Sequence, residues 1–241
     1  MRIKTFVVGV ALALALFLFA KRRPDLESQS GFHGVLDLTH STEPVAGSLK
    51  LAARKSSDSL ATQLDAPARL TKGMWTAGQI PPERLIAPLV ILDVRTSVNS
   101  NPDYQVGVED IVKWEQANGQ IPSGAVVMAR TGWDARWFSP KMYRNTDDRG
   151  ISHFPGYSED AAKFLVEARN VMGLGIDTPS VDAGESGDLP VEQYTLAHSV
   201  YHLENVTNLD RTPDHGALVV VAPVKLEART EAPVRIFALT Q

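Results

Sequence analysis

The sequence predicts one mixed α/β domain that follows a short N-terminal apolar segment. The chain has 241 residues, of which 44% are hydrophobic, and this is enough to bury one substantial core. Short runs rich in valine, isoleucine and leucine alternate with polar stretches, and two longer stretches have helical spacing. We therefore divide the chain into a targeting segment at 1–23, a linker at 24–33 and a folded domain at 34–241.

The apolar runs predict the strands of a sheet. Each run is five or six residues long, is rich in β-branched residues and is bounded by glycine, proline or polar residues. The expected strands are 35–39, 89–94, 125–129, 171–176, 217–221 and 234–239. The long loops between them are natural places for a functional site.

Two stretches predict amphipathic helices on this sheet. In 108–117 the apolar residues fall on neighbouring turns, and Gly119 ends the helix. In 158–168, Ser158 is the expected N-cap and two acidic residues occupy the first turn. Strands interrupted by helices of this length indicate a mixed α/β fold.

The N-terminal segment is typical of export or anchoring. Arg2 and Lys4 precede an unbroken apolar run at 6–20, and three basic residues follow it. Fifteen residues make about 22 Å of helix, which is shorter than a ~30 Å hydrocarbon core. Three interpretations stay open: a cleaved signal peptide, a membrane anchor through 6–20, or a helix buried in the core. The first two predict a secreted, secretory-lumen or membrane-anchored protein.

Charge and composition exclude several classes of function. The formal net charge is −4 and the sequence pI is about 5.9, so the chain lacks the basic excess that binds phosphate backbones, and nucleic acid is not an expected partner. The sequence contains no cysteine, which excludes disulfides, thiolate metal ligands and cysteine nucleophiles. Any metal is therefore held by nitrogen or oxygen atoms.

Four stretches, in order along the chain, resemble the cyclase family, which includes kynurenine formamidases and isatin hydrolases. They are Asp37-Leu38-Thr39-His40; Thr62-Gln63-Leu64-Asp65-Ala66-Pro67-Ala68-Arg69 with Trp75 and Gln79-Ile80-Pro81; Arg130-Thr131-Gly132-Trp133; and Gly175-Ile176-Asp177 continuing through Leu203-Glu204-Asn205 to Ala222-Pro223-Val224-Lys225. The resemblance implies a swivelling β/β/α fold. It also implies a zinc or manganese site that hydrolyses an aryl amide such as N-formylkynurenine, and a homodimer or a dimer with a paralogue.

The resemblance also implies which positions hold the metal, and most of them have changed. The family's ligand positions are Ser59, Gln63, Asp65, Glu192 and Glu204 here, and its proton-shuttle histidine is Arg69. Asp65 and Glu204 keep the family's residue type, whereas the other four positions have lost a histidine.

These replacements change the expected chemistry. An all-oxygen ligand set favours magnesium, calcium or manganese over zinc. Without a cation, converging carboxylates would raise the pKa of at least one of them. Arg69 offers another solution, because its guanidinium can pair with a carboxylate in place of the metal. Arginine does not serve as the general base that a histidine provides.

Further residues are candidate contacts to a substrate. Trp75 is a candidate wall of an aromatic pocket, His40 is expected near the site, and His153 lies in a loop that resembles the family's pocket mouth. His198 and His202 are four residues apart, but the apolar residues around them favour a strand over a metal-binding helix. Three functions stay open: an aryl-amide hydrolase with impaired or lost activity, a hydrolase with a re-purposed all-oxygen metal site, and a non-catalytic binding or dimer-partner protein. The expected cofactor is accordingly a hard cation or none.

Overall fold

The structure is a computed structural model that describes residues 31–41 and 61–240. Residues Val35–Thr240 form one compact unit. The expected targeting segment at 1–23, most of the linker at 24–33, and Ser59 lie outside the described residues. Within the described ranges, no helix is both long and apolar enough to cross a membrane.

The described chain alternates strands and helices, as the sequence predicts. Strands β1 to β10 cover Gly34–Asp37, Gln63–Asp65, Ile86–Asp93, Gln105–Val106, Val126–Arg130, Gly156–Tyr157, Gly173–Ile176, Tyr201–Glu204, Ala217–Pro223 and Glu231–Thr240. Helices α1 to α5 cover Arg95–Ser100, Val108–Asn118, Pro140–Arg144, Glu159–Arg169 and Pro190–Ala197.

The main sheet closes on itself like a barrel. Its strands follow the order β1-β10-β2-β8-β7-β5-β3-β9, and β9 pairs back onto β10. Seven strands therefore form the closed part, while β1 lies at its edge. Strands β3, β5, β7 and β8 run parallel to one another, whereas β2, β9 and β10 pair antiparallel.

Alternation along the strands creates two apolar layers. In β3, Leu89 and Ile91 belong to the cluster inside the closed sheet, and Val90 and Leu92 belong to the cluster between the sheet and its helices. Because successive side chains of a strand point to opposite faces, a strand covered on both faces has a nearly continuous apolar sequence. This explains why the apolar runs were good predictors of the main strands.

The predicted elements agree with the structure except at short segments. The six predicted strands correspond to β1, β3, β5, β7, β9 and β10, and the two predicted helices correspond to α2 and α4, where Ser158 accepts a hydrogen bond from the Ala161 N–H. The first strand ends at Asp37 rather than at residue 39, because the Asp37 carboxylate accepts the Thr39 N–H and turns the chain. Strands β2, β4 and β6 have two or three residues, too few for a periodic signal.

A buried aspartate holds the turn that follows β5. The Asp177 carboxylate accepts hydrogen bonds from the backbone N–H groups of Thr131, Gly132 and Trp133 and from the Thr131 hydroxyl, at 2.6–3.2 Å. Burial raises the pKa of Asp177 to about 6 in spite of these donors. The carboxylate therefore connects the carboxyl ends of β5 and β7.

Replacing Asp177 should destabilise the whole domain. In Asp177→Ala, the three N–H groups lose their buried acceptor, and we expect a loss of about 3 kcal/mol, or roughly 6–12 °C in melting temperature. The exposed Asp148→Ala is the matched control and should melt like the natural protein. Equal melting temperatures for both variants would show that the turn does not need this carboxylate.

Candidate functional site

Two rows of polar side chains cross the strands β10, β2 and β8. Pairing places Glu231 opposite Asp65 and Asp65 opposite His202. Two residues along, it places Gln63 opposite Glu204. Since paired residues point to the same face of a sheet, these side chains share one face, and the intervening Leu64 and Leu203 pack inside the closed sheet.

Helix α5 brings a further carboxylate to this face. Its first turn is held by Asp182, which accepts the Val191 and Glu192 N–H groups at 2.9 Å each. The Ser180 hydroxyl donates to Glu192 Oε1 at 2.9 Å. Glu192 is thus buried and fixed against the sheet, and Ser180 and Asp182 support it through hydrogen bonds.

The guanidinium of Arg69 lies among these carboxylates. Its Nη1 atom is 2.9 Å from Asp65 Oδ2 and also donates to Glu192 Oε2, while its Nε atom donates to Glu231 Oε1 at 2.7 Å. The expected pairing of Arg69 with a carboxylate is therefore present, but it is divided among three carboxylates rather than directed at one. Burial opposes the charged form, but the surrounding carboxylates raise the pKa of Arg69 above its usual range, so it stays protonated.

Gln63 bridges the two carboxylates that keep the family's residue type. Its Nε2 atom donates to Glu204 Oε2 at 2.9 Å and lies 3.5 Å from Asp65 Oδ1. The other oxygen of Glu204 accepts the Val181 N–H at 3.3 Å. The position that should supply a metal ligand thus supplies a hydrogen-bond donor.

His202 adds an imidazole that the resemblance does not place in the site. One ring nitrogen of His202 and one oxygen each of Asp65 and Glu192 all lie within 4.8 Å of one another. The Thr195 hydroxyl donates to the Val191 carbonyl at 2.6 Å, so its contact of 2.6 Å with His202 Nε2 has the ring nitrogen as donor. His202 Nδ1 is then unprotonated, and it is buried without a hydrogen-bond partner among the described residues.

The cluster contains more negative groups than positive ones. Burial, together with repulsion from Glu192 and Glu231, raises the pKa of Asp65 to about 8 against the opposing effect of Arg69. Burial also raises the pKa of Glu192, and that of Glu204 well above its usual range. One guanidinium facing these buried carboxyl groups leaves at least one of them protonated at neutral pH.

These side chains do not fit a resident zinc or manganese ion. A cation held by Asp65 and Glu192 would have to share their oxygens with Arg69 Nη1, which already contacts both carboxylates. The amide donor of Gln63 faces Glu204 in the same way. Two donor groups therefore occupy the sides of the carboxylates that would bind a metal, and one of them carries a permanent positive charge.

An aromatic pair is connected by hydrogen bonds to the residues that precede or follow Gln63 and Glu204 in the chain. The rings of His40 and Trp137 are stacked, with centroids 3.8 Å apart and planes 3° from parallel. The His40 N–H donates to the Thr62 hydroxyl at 2.9 Å, and that hydroxyl donates to the Asn205 carbonyl at 2.6 Å. The aromatic pair is therefore attached to the residues next to Gln63 and Glu204.

The structure places the other candidate contacts elsewhere. Trp75 packs against the cluster inside the closed sheet, and its ring centroid lies 5.4 Å from the guanidinium carbon of Arg84. His153 Nδ1 lies 2.9 Å from Asp103, and these two residues form a second carboxylate–histidine group with Glu185. His198 ends helix α5 with its ring against the Tyr194 carbonyl. None of these contacts involves the Asp65 cluster.

Two members of the cluster, His202 and Glu231, are not among the site positions that the sequence predicts. His202 is two residues before Glu204 in β8, so strand alternation alone would have placed both side chains on one face. Glu231 precedes the predicted strand at 234–239, and its place beside Asp65 depends on the register of β10 against β2. A local sequence pattern therefore predicts the position of His202, whereas no local pattern predicts that of Glu231.

The buried carboxyl groups predict a loss of stability as pH rises. The folded state retains a proton near Asp65 up to about pH 8, whereas the unfolded chain releases it near pH 4. The free energy of unfolding therefore falls by up to ~2 kcal/mol between about pH 6.5 and 8. His202, whose pKa burial lowers to about 3, has the opposite effect below about pH 6.5, which fixes the lower limit of this window.

Denaturant titrations across this window check the prediction. Asp65→Asn should flatten the slope, and the exposed Asp148→Asn should keep it. His153, whose pKa is raised by its hydrogen bond to Asp103, contributes equally to all three proteins and cancels in the comparison. If the free energy of unfolding depends on pH equally in the natural protein and in Asp65→Asn, the proton is not bound near Asp65.

Comparison with known proteins agrees with the motifs. The family model described as "Putative cyclase" matches residues 36–183. Isatin hydrolase of Roseibium aggregatum is 34% identical over 161 residues, which are 65% of this chain and 60% of that protein, so the match covers less than two thirds of its length. A kynurenine formamidase of Paracidovorax citrulli is 25% identical over 187 residues, 78% of each chain.

Solved structures share the fold. Isatin hydrolase A from Labrenzia aggregata, bound to benzyl benzoate, superposes with a TM-score of 0.77 at 27% identity over 89% of this chain and 96% of its own. A structure described as a "Potential Metal-Dependent Hydrolase With Cyclase Activity" has a TM-score of 0.63 at 21% identity, covers 86% of this chain and 98% of its own, and supports the fold alone. Because the family match spans more than half of the chain, this protein belongs to the cyclase family.

Proposed function

We propose that this chain is a non-hydrolytic member of the cyclase family that binds a small aromatic ligand beside the His40–Trp137 pair. One observation carries the proposal: Arg69 Nη1 contacts both Asp65 and Glu192, where a metal shared by these carboxylates would bind. The expectation of lost aryl-amide hydrolysis follows from this contact.

Among the residues that the structure describes, the cluster lacks the groups that hydrolysis of an amide requires. A metal-activated water needs an open coordination position, and Arg69 takes up the oxygens that would provide it. At the shuttle position, a guanidinium that stays charged does not accept a proton from water. His202 is fully buried, and burial lowers its pKa to about 3, so it does not accept a proton from water near neutral pH and does not replace the shuttle.

The aromatic pair supports binding of a flat ligand. His40 is half-buried and its ring is stacked on Trp137, and its Nε2 atom has no hydrogen-bond partner among the described residues. Burial lowers the pKa of His40 to about 4, so the ring is uncharged at physiological pH. Isatin hydrolase A binds an aromatic ester, benzyl benzoate, which supports an aromatic amide or ester as the ligand class here.

A hydrolase with a re-purposed metal site is the competing function. Its support is the carboxylate–histidine group of Asp65, Glu192 and His202, which offers nitrogen and oxygen atoms within 4.8 Å of one another. The two functions differ in one measurable property, which is turnover that depends on added metal.

Assays on the purified chain should show no metal-dependent turnover. We expect hydrolysis of an N-formylated aromatic amine and of isatin to stay within about twofold of the buffer rate, because no hydroxide is generated at the site. Zinc, manganese, magnesium and a chelator are tested in parallel, and isatin hydrolase of Roseibium aggregatum serves as the positive control. Chelator-sensitive turnover by this chain would overturn the proposal in favour of the re-purposed hydrolase.

Ligand binding should depend on Trp137 and not on Trp75. Trp137→Leu removes the ring that stacks on His40 and should weaken binding of an isatin-like aromatic by about tenfold, equivalent to ~1.4 kcal/mol. Trp75→Phe, at a ring that packs on the sheet interior, is the matched control. Calorimetric titration measures both, and an unchanged affinity in Trp137→Leu would place the ligand elsewhere.

A further inference from the structure

A second group of side chains with metal-binding atoms shares no residue with the Asp65 cluster. One ring nitrogen of His153 and one oxygen each of Asp103 and Glu185 all lie within 4.8 Å of one another. We call these three residues the outer group. The Asp103 and His153 side chains are 22% and 25% exposed, whereas Glu185 lies at the surface. The outer group is therefore partly shielded from water and still accessible to a solute.

The ring of His153 lies between two carboxylates. Its Nδ1 atom is 3.0 and 2.9 Å from the two oxygens of Asp103, and its Nε2 atom is 3.6 Å from Asp147 Oδ2. A metal-binding histidine usually directs the proton of its other ring nitrogen at a carboxylate, which leaves the first nitrogen free for the metal. With the proton on Nε2 and facing Asp147, the Nδ1 lone pair faces the carboxylate of Asp103.

Negative charge exceeds positive charge around this ring. Arg149 pairs with Asp147 at 2.9 Å and neutralises that carboxylate. Within the described ranges, Glu185 forms no hydrogen bond or ion pair, and the Asp103 carboxylate contacts the His153 ring alone. A divalent cation held by Asp103 and Glu185 would neutralise both carboxylates.

Backbone contacts hold the ligand residues of two segments in place. The His153 N–H donates to the Asn145 carbonyl at 3.1 Å, and the Gly184 N–H donates to the Phe154 carbonyl at 2.9 Å. Gly184 packs so closely on this loop that a Cβ there would lie 2.6 Å from the Ser152 carbonyl oxygen. Because the backbone on both sides is already ordered, a metal that binds here pays little conformational entropy.

We propose that Asp103, His153 and Glu185 bind a zinc ion or a similar divalent transition metal. Imidazole nitrogen suits zinc, whereas magnesium and calcium prefer oxygen ligands. Three protein ligands leave the remaining coordination to water. The metal connects the turn at 101–104, the loop at 145–154 and the turn at 183–186. This inference does not depend on the proposed function, because it concerns other residues.

The same contacts have a metal-free alternative, which is an ion pair. A protonated His153 pairs with Asp103 on one side and faces Asp147 on the other, and its hydrogen bond to Asp103 raises its pKa. A proton and a metal compete for the same ring, so metal affinity falls as pH is lowered. The two states are therefore distinguished by metal binding and by its dependence on pH.

The test is zinc binding by the full natural chain after treatment with a chelator. In equilibrium dialysis against zinc chloride with metal analysis, we expect about one zinc per chain. The melting temperature should rise when zinc is present. Below the pKa of His153, zinc affinity should fall by roughly tenfold for each pH unit. Magnesium and calcium chloride, measured in parallel, should bind at least about tenfold more weakly than zinc.

Substitutions locate the bound metal. His153→Gln and Glu185→Gln should each weaken zinc binding at least about tenfold, because each removes one of three ligands. His198→Gln is the matched control at an exposed histidine outside the outer group and should keep the natural affinity. Asp65→Asn should also keep it, because zinc does not bind in the Asp65 cluster. Melting temperatures without zinc show that each variant is folded.

Each outcome supports or overturns the outer group as a metal site. A natural chain that takes up no zinc at about 100 µM free zinc overturns it and leaves His153 in an ion pair. Unchanged zinc affinity in either His153→Gln or Glu185→Gln overturns the ligand set, and equal affinity for magnesium overturns the role of the imidazole. Zinc lost in Asp65→Asn places the metal in the Asp65 cluster and overturns the proposed function as well. Zinc lost only in the two outer-group variants, without turnover, supports this inference and leaves the non-hydrolytic assignment intact.

Discussion

The contact of one guanidinium with three carboxylates is the interaction on which the site depends. Asp65 and Glu192 are almost completely buried, and isolated buried carboxylates are strongly unfavourable. Arg69 lies where it relieves their repulsion, and it joins the strands β2 and β10 to the helix α5. A monocation replaces less charge than the dication that the family's site implies, so the remaining negative charge is neutralised by a proton.

The closed sheet makes this arrangement possible. Asp65 lies more than 130 residues before His202 in the sequence, and Glu231 lies further along the chain. The three side chains meet because β10, β2 and β8 pair in one register. A shift of one residue in β2 would turn Asp65 and Gln63 into the apolar interior and Leu64 out towards α5. The polar site and the apolar core therefore lie on opposite faces of the same short strands.

A framework of hydrogen bonds supports the cluster without involving Arg69. Ser180 and Asp182 orient Glu192 and the start of α5, and Asp177 holds the turn after β5. These hydrogen bonds position side chains whether the cluster contains a cation or a guanidinium. The fold and the aromatic pair at His40 and Trp137 therefore do not depend on the chemistry of the cluster.

The sequence by itself indicated the mixed α/β class, six strands of the main sheet and two of its helices, because strand and helix periodicity are local properties of the chain. The motifs that resemble the family named Asp65, Glu192, Glu204 and Arg69 as candidate site residues. The sequence also indicated that Arg69 pairs with a carboxylate, since opposite charges in one motif attract. Tertiary structure alone decided that Glu231 joins Arg69, that the Gln63 amide faces Glu204, and that the unprotonated nitrogen of His202 is left without a partner. These three contacts depend on the register between distant strands and on which atom donates each hydrogen bond. The order of residues along a single strand specifies neither the register nor the donor.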